Sequence, residues 1–214
     1  MKLGRFVTLL GASEPSRAIW DEVLFEVADC VVAPTLGSIV PHWLLVVPRR
    51  RALNFALWRD ATGEAPEQIV SEIAGQFGWN PSRIIWFEHG PGWSGSTIGC
   101  GVDQAHIHVI FDAPFSFEDL VSAAAAGARL DWRWSPPSEA YRSIDISASY
   151  LLVASGDRSV ITQGMERVGS QYLRRVIADL VGRPNDWDYK NYPHIENIEQ
   201  TLSALQRTTE PAGT

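Results

Sequence analysis

Two imidazoles one residue apart, set in an apolar run, are the groups of this chain best suited to chemistry. In "GCGVDQAHIHVIFDAP", residues 99–114, His106 and His108 alternate with Ala105, Ile107 and Val109, and Gln104 lies one alternate step upstream. Residues i, i+2 and i+4 of a strand share a face. A strand over 103–111 therefore has a polar face of Gln104, His106 and His108 and a packing face of small and apolar residues. The preceding "GPGWSGSTIGCG" is too rich in glycine for a helix or an ordinary strand. It predicts a loop whose successive backbone N–H groups form an anion cradle. Imidazoles beside such a cradle suit reaction at phosphorus. A neutral histidine nitrogen attacks, the phosphoramidate formed is readily hydrolysed, and a second imidazole assists the leaving oxygen.

These residues need a sheet to hold them. Residues 18–50 read as antiparallel strand pairs, with "TLGS" as turn chemistry and "HWLLVVP" as an apolar strand closed by proline. Residues 64–78 carry helical apolar spacing and stop at Gly78, and 83–90 is a short strand. A helix over 116–128 starts with Ser116 as its cap and Asp119 in its first turn. Beyond residue 130, "DWRWSPPSEAY" reads as a connector, "SYLLVAS" and "SVITQ" as a hairpin, and 168–182 and 195–207 as helices. The fold class is α+β: a mostly antiparallel sheet with flanking helices over 1–130, and a C-terminal α/β extension, 131–214, packed on the same domain.

Bulk composition narrows the partners. The chain has 214 residues, 45% hydrophobic, enough for one sizeable core. A net charge of −7 argues against an extended nucleic-acid surface but leaves room for a small phosphorylated ligand. Cys30 and Cys100 are the only cysteines, which gives neither a disulfide framework nor paired-cysteine zinc spacing. No apolar run approaches the roughly 20 residues of a membrane span, and the first residues lack a signal-peptide pattern. The expectation is a cytoplasmic protein without membrane contact.

The run Gln104-Ala-His106-Ile-His108-Val-Ile resembles the signature of the histidine-triad superfamily of nucleotide hydrolases and nucleotidyl transferases, His-x-His-x-His followed by two apolar residues. "TLGSIVPHWLLVVPRR" and "WFEHG…GCGVDQAH" resemble that family's strand pair and phosphate loop, so the resemblance covers roughly residues 20 to 115. It implies that His106 attacks an α-phosphate to give a nucleotidyl-histidine, that His108 hydrogen-bonds the phosphate and assists departure, and that Gln104 orients the strand. It also implies phosphate binding by the backbone near Gly99, Cys100 and Gly101, a polar contact from Glu88, and ribose and base contacts at Thr35 and Leu36. A homodimer and no cofactor complete the implied picture.

Two positions depart from the family pattern. Gln104 stands where the first histidine would be and cannot carry a proton near pH 7. Gly101 stands where many relatives place a hydroxyl. A nucleotide-binding protein with weak or lost catalysis is therefore the alternative. Zinc held by the two histidines with His89 or Asp112 is a further rival, but no cysteine pair supports it, and the site is read as metal-free. Arg49 to Arg51 read as a solvated strand end, His42 as a surface turn residue, Gln171 with Arg174 or Arg175 as surface groups, and His194 as structural or exposed.

Overall fold

The computed structural model describes residues 6–11, 18–96, 98, 103–164 and 168–209. Eight strands form one sheet: β1 (Phe25–Val27), β2 (Cys30–Pro34), β3 (Trp43–Pro48), β4 (Ile84–Gly90), β5 (Ile107–Phe111), β6 (Arg133–Ser135), β7 (Tyr150–Ser155) and β8 (Arg158–Gln163). Their spatial order is β1-β2-β3-β5-β4-β7-β8-β6, with every neighbouring pair antiparallel. The architecture is α+β. The strands after residue 130 continue the sheet begun by the earlier ones, through β7 on β4.

Both faces of the central strands are buried. The back face (Val32, Leu44, Val46, Trp86, Ile107, Val109 and Leu152) is covered by α2 (Phe55–Thr62), α3 (Pro66–Phe77) and Leu205 of α7 (Ile195–Thr209). The front face is covered in two pieces. At one end Phe6 and Leu9 of α1 (Phe6–Leu9) pack on Val31, Ala33, Leu45 and Val47. At the other, α4 (Phe117–Ala128) and α6 (Tyr172–Leu180) pack on Ile85, Phe87, Ile110, Leu151 and Val153. The histidines lie on the front face, between the two coverings.

Local chemistry accounts for the helix limits. Ser116 and Asp119 close a reciprocal capping box at the start of α4. Pro66 opens α3, and Gly78, at φ +64, turns its N–H back to the last carbonyls. Asn54 accepts from the Leu57 N–H to start α2, a helix absent from the sequence reading. The predicted connector after residue 130 contains β6 and the short helix α5 (Pro137–Ala140). The expected helices over 168–182 and 195–207 run over Tyr172–Leu180 and Ile195–Thr209. Among the described residues no helix is long and apolar enough to cross a membrane.

Candidate active site

β5 begins at Ile107, four residues later than the strand read from the sequence, so His106 precedes the ladder and His108 lies inside it. His108 is flanked on both sides, by Leu45 of β3 and Phe87 of β4. Both imidazoles are almost fully buried, at 7% and 6% exposure. Their ring centroids are 5.3 Å apart and nearly perpendicular, at 78°. Phe6 of α1 leans on His106 at 5.1 Å, and Phe87 stacks under His108 at 4.8 Å.

Hydrogen bonds give the two rings opposite tautomers. His106 Nδ1 lies 2.9 Å from the Gln104 carbonyl, which only accepts, so a neutral His106 carries its proton on Nδ1. The Trp43 indole N–H donates to His108 Nδ1 at 3.0 Å, so a neutral His108 carries its proton on Nε2. In the neutral rings, Nε2 of His106 is an acceptor and Nε2 of His108 a donor. Nothing in the sequence spacing singled out Trp43; the signal available was an indole beside His42 at the head of an apolar strand.

Gln104 takes a different part from the one expected of a strand residue. Its amide NH2 donates to the Pro48 carbonyl at 2.9 Å and reaches that of Arg50 at 3.5 Å, tying the approach to β5 onto the end of β3. Asp103 clasps the preceding loop, accepting from the Ser94 hydroxyl at 2.7 Å and the Gly95 N–H at 2.9 Å. Gly99, Cys100 and Gly101, the expected phosphate cradle, lie outside the described residues.

Glu88 does not join the histidines. Alternation along β4 puts Ile85, Phe87 and His89 on the front face and Glu88 on the back. There its carboxylate accepts from the Phe55 N–H at 2.7 Å, the Tyr150 hydroxyl at 2.6 Å and the Tyr141 hydroxyl at 3.0 Å. Burial pushes its pKa from 4.5 up to about 7, against the lowering effect of those three donors. Gly90 makes room for this cluster, because a Cβ there would run into the Tyr150 ring.

His89 takes the front-face position instead. The β4–β5 register ends at Phe87 opposite His108. His89 follows two residues later on the same face, with His106 among the charges that act on it. His89 is 5% exposed, and its Nε2 accepts the Leu173 N–H at 3.4 Å, in the first turn of α6. Burial, then the nearby His106, Arg175 and Arg174, lower its pKa from 6.5 to about 3.

Arg174 is a correction to the sequence reading, which placed it on the surface: it is 3% exposed. Its Nε donates to the Trp187 carbonyl at 3.0 Å and its Nη2 to the Gly37 carbonyl, while the guanidinium lies 5.2 Å from the Trp43 ring centroid. That bond to Gly37 fastens the turn holding Thr35 and Leu36 to α6. Thr35 is fully buried and Leu36 half-buried. His42 is also less exposed than expected, stacked on Phe111 at 4.5 Å, with burial lowering its pKa.

Three buried oxygens near these elements, Thr35 Oγ1, Gln104 Oε1 and Gln171 Oε1, have no hydrogen-bond partner. Each such atom costs about 1–3 kcal/mol unless a ligand or water completes it. Among the described residues no group of three His, Cys, Asp or Glu side chains lies close enough to hold a metal. Asp112, the rival zinc ligand, instead pairs with Arg83 at 2.8 Å. No family model matches the chain, and no curated protein matches its sequence.

Proposed function

We propose that the chain is a histidine-triad-type nucleotide hydrolase or nucleotidyl transferase, acting at an α-phosphate through a nucleotidyl-His106 intermediate. The observation that carries this reading is the pair of complementary tautomers. With both rings neutral, these Nδ1 contacts leave a lone pair on Nε2 of His106 and a proton on Nε2 of the adjacent His108. In the first step His106 Nε2 forms a bond to phosphorus, and the bond to the leaving oxygen breaks with its electron pair. His108 Nε2–H hydrogen-bonds the charge that grows on that oxygen. The Gln104 carbonyl, holding Nδ1–H, stabilises the positive charge left on His106. Water, or an acceptor hydroxyl, then forms a new P–O bond, the P–N electron pair returns to Nε2, and the acceptor's proton passes to solvent.

Arg174 and Arg175 give a chain of net charge −7 a local positive potential that suits a phosphate. Thr35 Oγ1 and Gln171 Oε1 are polar atoms available to a ribose or base. The resemblance to the histidine-triad family carries with it a homodimer.

A nucleotide-binding protein without turnover is the second reading. Gln104 favours it, because its amide is engaged with backbone carbonyls and it relays no proton. The test is intact-mass spectrometry after rapid quenching with ATP, ADP, a dinucleoside polyphosphate or an adenosine phosphoramidate. A nucleotidyl adduct that maps to His106 and is missing in His106→Ala supports the enzyme. Binding of AMP without adduct or product supports the second reading and sinks the first.

A further inference from the structure

The geometry points to His89 as the third imidazole of the proposed site, donating its Nδ1–H to a phosphoryl oxygen of the nucleotide held at His106. This rests on the function proposed above and adds to it a residue from a different strand. Three observations carry it. Alternation along β4 puts His89 on the face of Phe87, which stacks on His108, two residues beyond the last β4–β5 pair, and His106 is among the groups whose charge acts on it. Its Nε2 accepts the Leu173 N–H, so the neutral ring keeps its proton on Nδ1. The NH2 of Gln104, where the family's first histidine would stand, is turned to the carbonyls of Pro48 and Arg50. The segment 104–108 thus supplies two imidazoles, and β4 supplies another donor.

A neutral donor suits this place better than a cation. As the P–N bond forms, His106 acquires positive charge, and a second charged ring near it would oppose that step. Burial first, then the charges of His106 before β5 and of Arg175 and Arg174 on α6, keep His89 uncharged, while Phe87 of its own strand packs beside it at 6.3 Å. No bond to His89 forms or breaks in the reaction.

The test uses the two amides that mimic the two ring nitrogens. In His89→Asn the amide nitrogen can occupy the place of Nδ1 and keep the donor. In His89→Gln the amide lies where Nε2 was and keeps only a partner for Leu173. Adduct formation at His106 is timed by quench and mass spectrometry, AMP affinity is measured by calorimetry, and folding is checked by circular dichroism. We expect His89→Asn to retain the adduct rate within about threefold, and His89→Gln and His89→Ala to lose at least tenfold while folded. In 15N spectra of the wild type, His89 should be the Nδ1–H tautomer, with that nitrogen shifting on addition of AMP.

If Gln retains the rate and Asn loses it, or if all three variants behave alike, His89 serves packing or Leu173 alone and the inference is overturned. An Nε2–H tautomer in the wild type overturns it without any variant. A wild type that forms no adduct overturns the proposed enzyme and this inference together. A normal wild type with any of the contrary variant patterns overturns only His89.

Discussion

Replacing Glu88 by glutamine should change how stability responds to pH, and the size of the change follows from the cluster on the back face. An unfolded chain releases the Glu88 proton near 4.5, whereas burial holds it in the folded chain up to about 7. Between those values the folded state keeps a proton that the unfolded state has lost. The contribution of Glu88 to stability is therefore complete below 4.5, falls as pH rises, and is gone above about 7. The gap corresponds to about 3 kcal/mol. Glutamine never ionises, and its amide can still meet the Phe55 N–H with its oxygen and the hydroxyls of Tyr141 and Tyr150 with its NH2. Urea unfolding of wild type and Glu88→Gln at pH 4.5, 6 and 8 isolates the effect, because the other titrating groups are shared. The variant should gain on the wild type by about 3 kcal/mol between the lowest and highest pH. Tyr150→Phe, which removes the 2.6 Å donor, should move the fall in stability to still higher pH. A variant-minus-wild-type difference that is flat with pH, or that shrinks as pH rises, would refute the claim that burial dominates the three hydrogen bonds.

Four further outcomes are expected. His89, lowered to about 3, stays neutral in the folded chain while the unfolded chain takes up a proton below 6.5. Its contribution is present above 6.5 and is lost by up to about 5 kcal/mol as pH falls toward 3, a slope that His89→Asn should abolish in acid-unfolding titrations. Trp43→Phe removes the donor to His108 Nδ1 and should cut adduct formation by about 10- to 100-fold, in line with a lost hydrogen bond of about 1–3 kcal/mol, with loss of the Nε2–H signature of His108 in 15N spectra. Gln104→His should not accelerate turnover: it gives up the bonds to Pro48 and Arg50, and melting should show a loss of about 1 kcal/mol. Gly90→Ala drives a methyl into the Tyr150 ring and should lower the melting temperature by several degrees, whereas Gly75→Ala, at an exposed helical position with open space around its Cβ, should not.

Elements with strong local signals were legible in the sequence. The cap of α4 at Ser116 with Asp119, the Gly78 stop of α3, and the hairpin of β7 and β8 all depend on residues within a few positions of one another. The helix α2 was bracketed by Asn54 and Gly63 but has only eight residues, too few for a clear period. The candidate site was legible as a pair, His106 and His108, because alternation is local. Its remaining members depend on pairing. That His89 rather than Glu88 shares the histidines' face follows from the β4–β5 register, which no single strand encodes. Arg174 looked solvated because a guanidinium usually is; Trp43, Tyr189 and two carbonyls from other parts of the chain hold it inside.

The two histidines differ in how they are anchored, and this has a dynamic consequence. His108 is laced into the ladder from both sides, whereas His106 lies one residue outside it. Amide hydrogen exchange at His108 should therefore proceed only through global opening, while His106 exchanges through smaller excursions of the segment before the strand. In the reaction proposed above, His108 is then the fixed reference point and His106 the partner carried by the segment that opens more readily.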